Sequence, residues 1–364
     1  MAFPRVALPS RLASVARRNV FSRHLHSSPL RAAVAHPITA QGPPPKAPAP
    51  AEAFRESAAQ KSNAGSAPAG AEGESQPTRA NVSLKKRFWK DVHVHGKPGE
   101  FQVLLDKRPV RTPNKDILSI PPTKPQLAHA IALEWDVMTS AQQALKSHLI
   151  PLTSLAARAE DIVREEAQGI NTTREQIITT AMRYLETDTL LCWEPERERH
   201  PLERQNEKGE HIESLREIQV RISQDIMSFL STKVWPGLEI VPILDTQSIL
   251  PVAQPKATQE AIRAWVQGLK AHDLAGLERG ILASKSLLVA VRLVVEWSEN
   301  FRHVQRNENG GKKFGLEEAT EASSLEVKWQ TDMWGEVEDT HDVNKEDLKR
   351  QLGSVVILVN GETR

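Results

Sequence analysis

The spacing of apolar residues changes near Pro121, and this change limits the folds open to the chain. Upstream, Phe88-Trp89-Lys90-Asp91-Val92-His93-Val94-His95 partly alternates, Gly96 to Gly99 supply turn chemistry, and Phe101-Gln102-Val103-Leu104-Leu105 follows. Two such runs around a short turn predict a hairpin. Val110 and Ile117 to Ile120 predict further short strands, separated by Pro109, Pro113 and the Asn114-Lys115-Asp116 turn. Downstream, Leu127, Ile131, Leu133, Trp135 and Met138 follow a roughly helical spacing after Thr123, with Pro125 in the first turn. Helical patterns then run over Thr153 to Glu166, Thr173 to Leu185, Glu207 to Leu230, Thr258 to Ala271, Leu274 to Phe301 and Gly315 to Thr331. Ser354 to Val359 reads as a closing strand, although pattern alone does not separate short apolar runs. The expected class is α+β: a small N-terminal antiparallel β-rich domain, residues 84–122, followed by a larger, mostly α-helical domain, residues 123–364.

The segment before this fold has its own chemistry. No Asp or Glu occurs from Met1 to Pro50, while Arg5, Arg11, Arg17, Arg18, Arg23 and Arg31 recur among Ala, Ser, Val and Leu. That is the composition of a mitochondrial presequence, assigned to residues 1–31. A secretory signal needs an unbroken apolar block, which Arg11, Arg17 and Arg18 interrupt. Residues 32–83, rich in Pro, Ala, Gly and Ser, hold too little apolar surface to offset the entropy of ordering and are expected to form a disordered linker. The whole chain carries 47 basic and 46 acidic side chains; without residues 1–31 the balance is 41 to 46. Such a mildly acidic chain is a poor ligand for nucleic acid, whose phosphates need clustered Lys and Arg. The longest apolar run, Leu287 to Val295, is interrupted by Arg292 and is too short to span a bilayer.

Residues capable of chemistry are few. Cys192 is the single cysteine and has apolar neighbours, which raise a thiol pKa rather than activate it. No GxxxxGK[ST] or GxGxxG loop cradles a phosphate. His93 and His95 share a strand face and could contribute two metal ligands, yet no third stands nearby in sequence, and Lys90 and Lys97 flank them. His341-Asp342 with Glu336, Glu338 and Asp339 fits neither an EF-hand nor a zincin spacing and reads as a solvated face or a site for a basic partner. Glu186 and Asp188 suit either an acid/base pair or a cap after Tyr184-Leu185. The eight tryptophans are mainly core material, but Trp329 and Trp334 sit among Lys328, Asp332, Glu336 and Glu338, a setting shared by core edges and by interface anchors.

Six segments, collinear along the chain, resemble a known family. They are Arg87-Phe88-Trp89, Leu104 to Pro113 (LLDKRPVRTP), Ala132-Leu133-Glu134-Trp135-Asp136, Pro151-Leu152-Thr153, Tyr184 to Thr189 (YLETDT) and Trp334 to Asp342 (WGEVEDTHD). Over about residues 84–360 the chain is similar to the mitochondrial ATP synthase assembly chaperones that act on the alpha subunit of the catalytic head. The resemblance implies a matrix protein with no catalytic activity and no cofactor, which holds the unassembled alpha subunit until it pairs with the beta subunit. An unassembled subunit exposes apolar interface that aggregates unless covered. Partner contact is expected at Glu326, Trp329, Trp334, Gly335 and Glu336. The long linker before Leu84 and an insertion at residues 302–314 are departures from the family pattern.

Overall fold

The structure, a computed structural model, describes residues 85–196, 212–244, 250–305, 313–337 and 339–362, all within the unit Ser75–Arg364. The expected presequence and linker, and part of the expected insertion, lie outside the described residues.

The described chain opens with a three-stranded antiparallel sheet in the order β1 (Val92–Lys97), β2 (Glu100–Leu105), β3 (Arg108–Pro109). Gly99, at φ 88°, makes the first turn, where a side chain would be strained. The register pairs Val92 with Leu105 and Val94 with Val103. Isolated bridges from Phe101 to Ile120 and from Arg111 to Ile117 continue the pairing after β3. Helix α1 (Pro125–Asp136) packs across β1 and β2 and buries Leu127, Ala128 and Ile131. Beside it, Trp89 is 2% exposed and meets Trp135 edge-on at 5.5 Å.

Nine further helices follow among the described residues. They are α2 (Pro151–Ala167), α3 (Thr172–Glu186), α4 (Leu215–Phe229), which continues into a π turn over Leu230–Val234, α5 (Lys256–Gln267), α6 (Ala271–Ser284), α7 (Leu287–Trp297), α8 (Arg302–Gln305), α9 (Leu316–Trp334) and α10 (His341–Val359). Helix α6 packs against α2, α3, α7 and α10, and α7 also meets α4, α9 and α10. Every α7 residue from Leu287 to Glu296 is buried, as expected of a helix that is apolar on nearly all sides. Its one cation is accommodated locally. Arg292 pairs with Glu296 one turn later at 2.5 Å, and its guanidinium lies 3.6 Å from the Phe229 ring centroid and 4.9 Å from that of Phe314.

Two expectations are corrected. Leu274 to Phe301 is not one helix: α6 ends at Lys285, which takes the left-handed conformation (φ 58°), and α7 restarts at Ser286, whose hydroxyl accepts the Val289 N–H at 3.1 Å. Ser354 to Val359 is not a strand but the end of α10. Leu352, Val355, Leu358 and Val359 recur at helical spacing and are buried, so packing on α6 overrides the β-preference of Val and Ile. Contact there is close, because a Cβ on Gly276 of α6 would lie 2.7 Å from Val359 Cγ1.

The end of α10 is tied to the start of α1. The buried Lys124 ammonium donates to the carbonyls of Val359 (2.9 Å) and Asn360 (3.1 Å) and lies 3.0 Å from the Glu299 carboxylate. The Glu362 N–H donates to the Thr123 carbonyl at 2.6 Å. These contacts join the sheet-bearing part of the chain to the last helix.

Candidate functional site

Among the described residues, the candidates for chemistry named above do not converge. His93 and His95 lie exposed on one face of β1, and among the described residues no group of three or more His, Cys, Asp or Glu stands in position to hold a metal ion. Glu186 is exposed at the end of α3, whereas Asp188 is wholly buried. The Asp188 carboxylate accepts the N–H groups of Leu190 and Leu288, each at 3.0 Å, so it caps a short 3-10 turn and the first turn of α7 together. Burial pushes its pKa up to about 6 against the pull of these hydrogen bonds. The pair is therefore a structural cap and a surface charge rather than an acid/base couple. Cys192 is half-buried, its thiol donates to the Asp188 carbonyl at 3.4 Å, and burial raises its pKa.

Two of the other segments that carry the family resemblance use a carboxylate in the same way. Asp106, at φ 54° between β2 and β3, accepts the N–H groups of Lys90 and Asp91 at 3.0 Å each and fixes the entry to β1. These bonds, that from Asp91 foremost, hold its pKa below the usual range. Glu134 on α1 accepts the N–H groups of Leu152 (2.7 Å) and Thr153 (2.9 Å) and the Thr153 hydroxyl (2.8 Å), capping α2 from a neighbouring helix. The Thr153 hydroxyl in turn accepts the Trp135 indole N–H at 3.1 Å. Thus Ala132 to Asp136 and Pro151 to Thr153, separate in the chain, form one joint.

The residues expected to meet a partner are all on α9 or just beyond it. Glu326 and Trp329, three residues apart, are neighbours on the helix surface, while Trp334, five residues beyond Trp329, stands round the helix from it at the C-terminal end. Glu326 is exposed, and its carboxylate accepts the Gln219 amide from α4 at 3.2 Å. Trp329 is half-buried. Trp334 is 79% exposed, so it does not close the helical core. Gly335 ends the helix with its N–H on the Thr331 carbonyl (2.8 Å) and takes φ 90°, ψ 159°, a conformation open in practice only to glycine. Glu336 follows, exposed. The return into α10 is latched by His341, whose Nδ1 accepts the Val337 N–H at 3.0 Å. Glu338 lies outside the described residues.

The neighbours of this face add what the sequence reading missed. Val327, Met333, Val337 and Val343 are also exposed, at 45%, 62%, 57% and 56%. The available signal was their position among charged residues, where a core helix would show polar side chains on its outer face. No described helix is long and apolar enough to cross a membrane.

Comparison with known proteins finds relatives of the chain. The family described as ATP12 chaperone protein matches residues 86–231. The mitochondrial protein atp12 of Schizosaccharomyces pombe is 30% identical over 273 residues, covering 75% of this chain and 81% of that protein. Mitochondrial ATP12 of Saccharomyces cerevisiae is 29% identical over 296 residues, covering 77% and 86%. Among solved structures, Atp12 from Paracoccus denitrificans superposes with a TM-score of 0.53 at 23% identity, over 75% of this chain and 97% of that one, a likeness of fold.

Proposed function

The chain belongs to the ATP12 chaperone family, and from that premise we propose that it binds the unassembled alpha subunit of the ATP synthase catalytic head in the mitochondrial matrix, prevents its aggregation and promotes its assembly with the beta subunit. Family membership is the observation that carries the reading. Supporting it are the mitochondrial names of both fungal relatives and the acid-free, Arg-rich N-terminus, read as a presequence over residues 1–31 and a linker over 32–83. The fold would then divide into a β-rich domain, 84–122, and a helical domain, 123–364.

Covering an interface needs exposed apolar and charged groups on a rigid support rather than a catalytic centre. The surface of Glu326, Trp329, Trp334, Gly335 and Glu336 supplies such groups, and we assign the alpha-subunit contact to it. The action requires no cofactor and no enzymatic step.

The test is twofold. Gentle isolation of the protein from matrix should bring down the alpha subunit, and the purified protein should suppress aggregation of alpha subunit diluted from denaturant. Native gels should show the protein absent from the mature synthase; its presence there in fixed stoichiometry would make it a structural subunit instead. Metal analysis of the purified protein should find no stoichiometric zinc or manganese.

A further inference from the structure

Helices α9 and α10 are each anchored at one end only. The buried residues of α9 are Ala319 and Thr320, in its first two turns, and those of α10 run from Leu352 to Val359, in its last two. Between these anchors, Leu325 to Trp334 and His341 to Gln351 contain no buried residue among those described. The two helices form a hairpin whose base is held by contacts such as Gln219 to Glu326 and Arg279 to Gln351, while its tip around Gly335 is exposed. At its base, α9 bends at Ser324 (φ −119°, ψ 15°). The hydroxyls of Thr320, Ser323 and Ser324 there each donate to the carbonyl four residues earlier, at 2.7 to 2.8 Å, an arrangement that bends helices.

A groove of about 770 Å³ lies between α9, α10 and the end of α6, and its border is mixed in charge, with Glu321, Glu336 and Asp347 beside Lys285, Lys328 and Lys345. Of the exposed apolar side chains on these half-helices, Val327 borders the groove, whereas Met333, Trp334, Val337 and Val343 lie outside it, around the turn at the hairpin tip. Residues 325–351 carry eight Asp or Glu against four Lys or Arg, a formal −4. Three of those cations are engaged by carboxylates: Lys328 by Glu321, Lys349 by Glu346 and Arg350 by Asp347. Asp332, Glu336, Asp339 and Asp342 are exposed around the apolar cluster.

We infer that the tip of this hairpin, where these apolar side chains stand among Asp332, Glu336, Asp339 and Asp342, is a clamp for an apolar segment flanked by Lys or Arg, presented by the partner. The inference rests on the alpha-subunit reading above and deepens it by naming the chemistry of the bound segment. Charge decides the occupant. A second copy of the chain would set one −4 surface against another, and an anionic lipid surface would be repelled, whereas a basic apolar segment satisfies both the carboxylate rim and the exposed Met and Trp side chains.

Binding of the full chain to unfolded alpha subunit, measured by fluorescence anisotropy at low and high salt, tests this. The triple variant Met333→Ser, Val337→Ser, Val343→Ser should weaken binding by about tenfold or more with an unchanged circular dichroism spectrum. Asp332→Lys with Asp342→Lys should weaken it similarly and flatten its salt dependence. As a check independent of substitution effects on folding, a photo-crosslinking residue in place of Asn344 should capture the alpha subunit, while one in place of Ile170, on the α2–α3 turn, should not. Unchanged affinity in both variants together with no crosslink at position 344 would overturn the clamp while leaving the chaperone reading intact. Failure of the unmodified chain to bind alpha subunit would overturn that reading, and the clamp with it.

Discussion

The Asp188 carboxylate and the Leu288 backbone N–H, 100 residues apart, meet at 3.0 Å in an interior where Asp188 has no exposure to water. One carboxylate thereby orients the most buried helix of the protein. Its raised pKa, about 6 against an ordinary 3.8, makes the contact sensitive to pH. Between these values the folded protein holds more protons at this site than the unfolded chain does, so stability falls as pH rises. The contribution is fully present below about pH 3.8 and lost as pH rises through about 6. Asp188→Asn, which cannot ionise, should lack this slope. Urea denaturation at successive pH values should show the advantage of Asp over Asn shrinking from pH 4 to pH 7; a constant difference would count against an ionising buried carboxylate.

Lys124→Met should destabilise the fold by about 3 kcal/mol or more, because it leaves the Glu299 carboxylate without its cation and two carbonyls without their donor. Adding Glu299→Leu should recover part of the loss. A double-mutant cycle by denaturant unfolding measures the coupling. Additive losses would show that the two side chains act independently.

Gly276→Ala should cost about 1–3 kcal/mol, although alanine is the better helix former. The added methyl would press on Val359 at the α6–α10 contact. Melting temperature checks the direction, and a companion Val359→Ala substitution should relieve part of the strain.

Trp334→Ala should separate stability from binding. With the side chain 79% exposed, its removal should change unfolding free energy by less than about 0.5 kcal/mol. Suppression of alpha-subunit aggregation should fall clearly, by an amount expected of an interface anchor, about 2 kcal/mol in binding. A drop in melting temperature with normal aggregation suppression would assign the indole to packing instead.

Much of this architecture was legible because its signals are local. The Gly96 to Gly99 turn and the helical spacing after Pro125 depend on neighbours a few residues away, and the hairpin and α1 appear where those patterns lie. Signals that depend on distant partners were harder to read. Val355 and Val356 look like strand residues until Gly276 provides a surface on which a helix can pack. Asp106, Glu134 and Asp188 stand in segments that carry the family resemblance, but the Asp91, Leu152 and Leu288 N–H groups they cap lie 15, 18 and 100 residues away. For the candidate partner face, Trp329 and Trp334 among carboxylates were visible in sequence, whereas the exposed Val327, Met333, Val337 and Val343 were not singled out. The single-ended anchoring of α9 and α10 was not visible there, since it depends on which parts of each helix reach α6 and α7.

The clasp at Lys124 also constrains the order in which the protein can mature. Its acceptors, the carbonyls of Val359 and Asn360, come 235 and 236 residues later in the chain, and α10 covers much of α6. A polypeptide still emerging from a ribosome, or still threading through a translocation pore from its N-terminus, has an early sheet and helix but lacks the strap that closes them. Until that strap arrives, the faces of α6 and α7 that α10 covers remain open, so a member of a chaperone family has a transient need for shelter of its own.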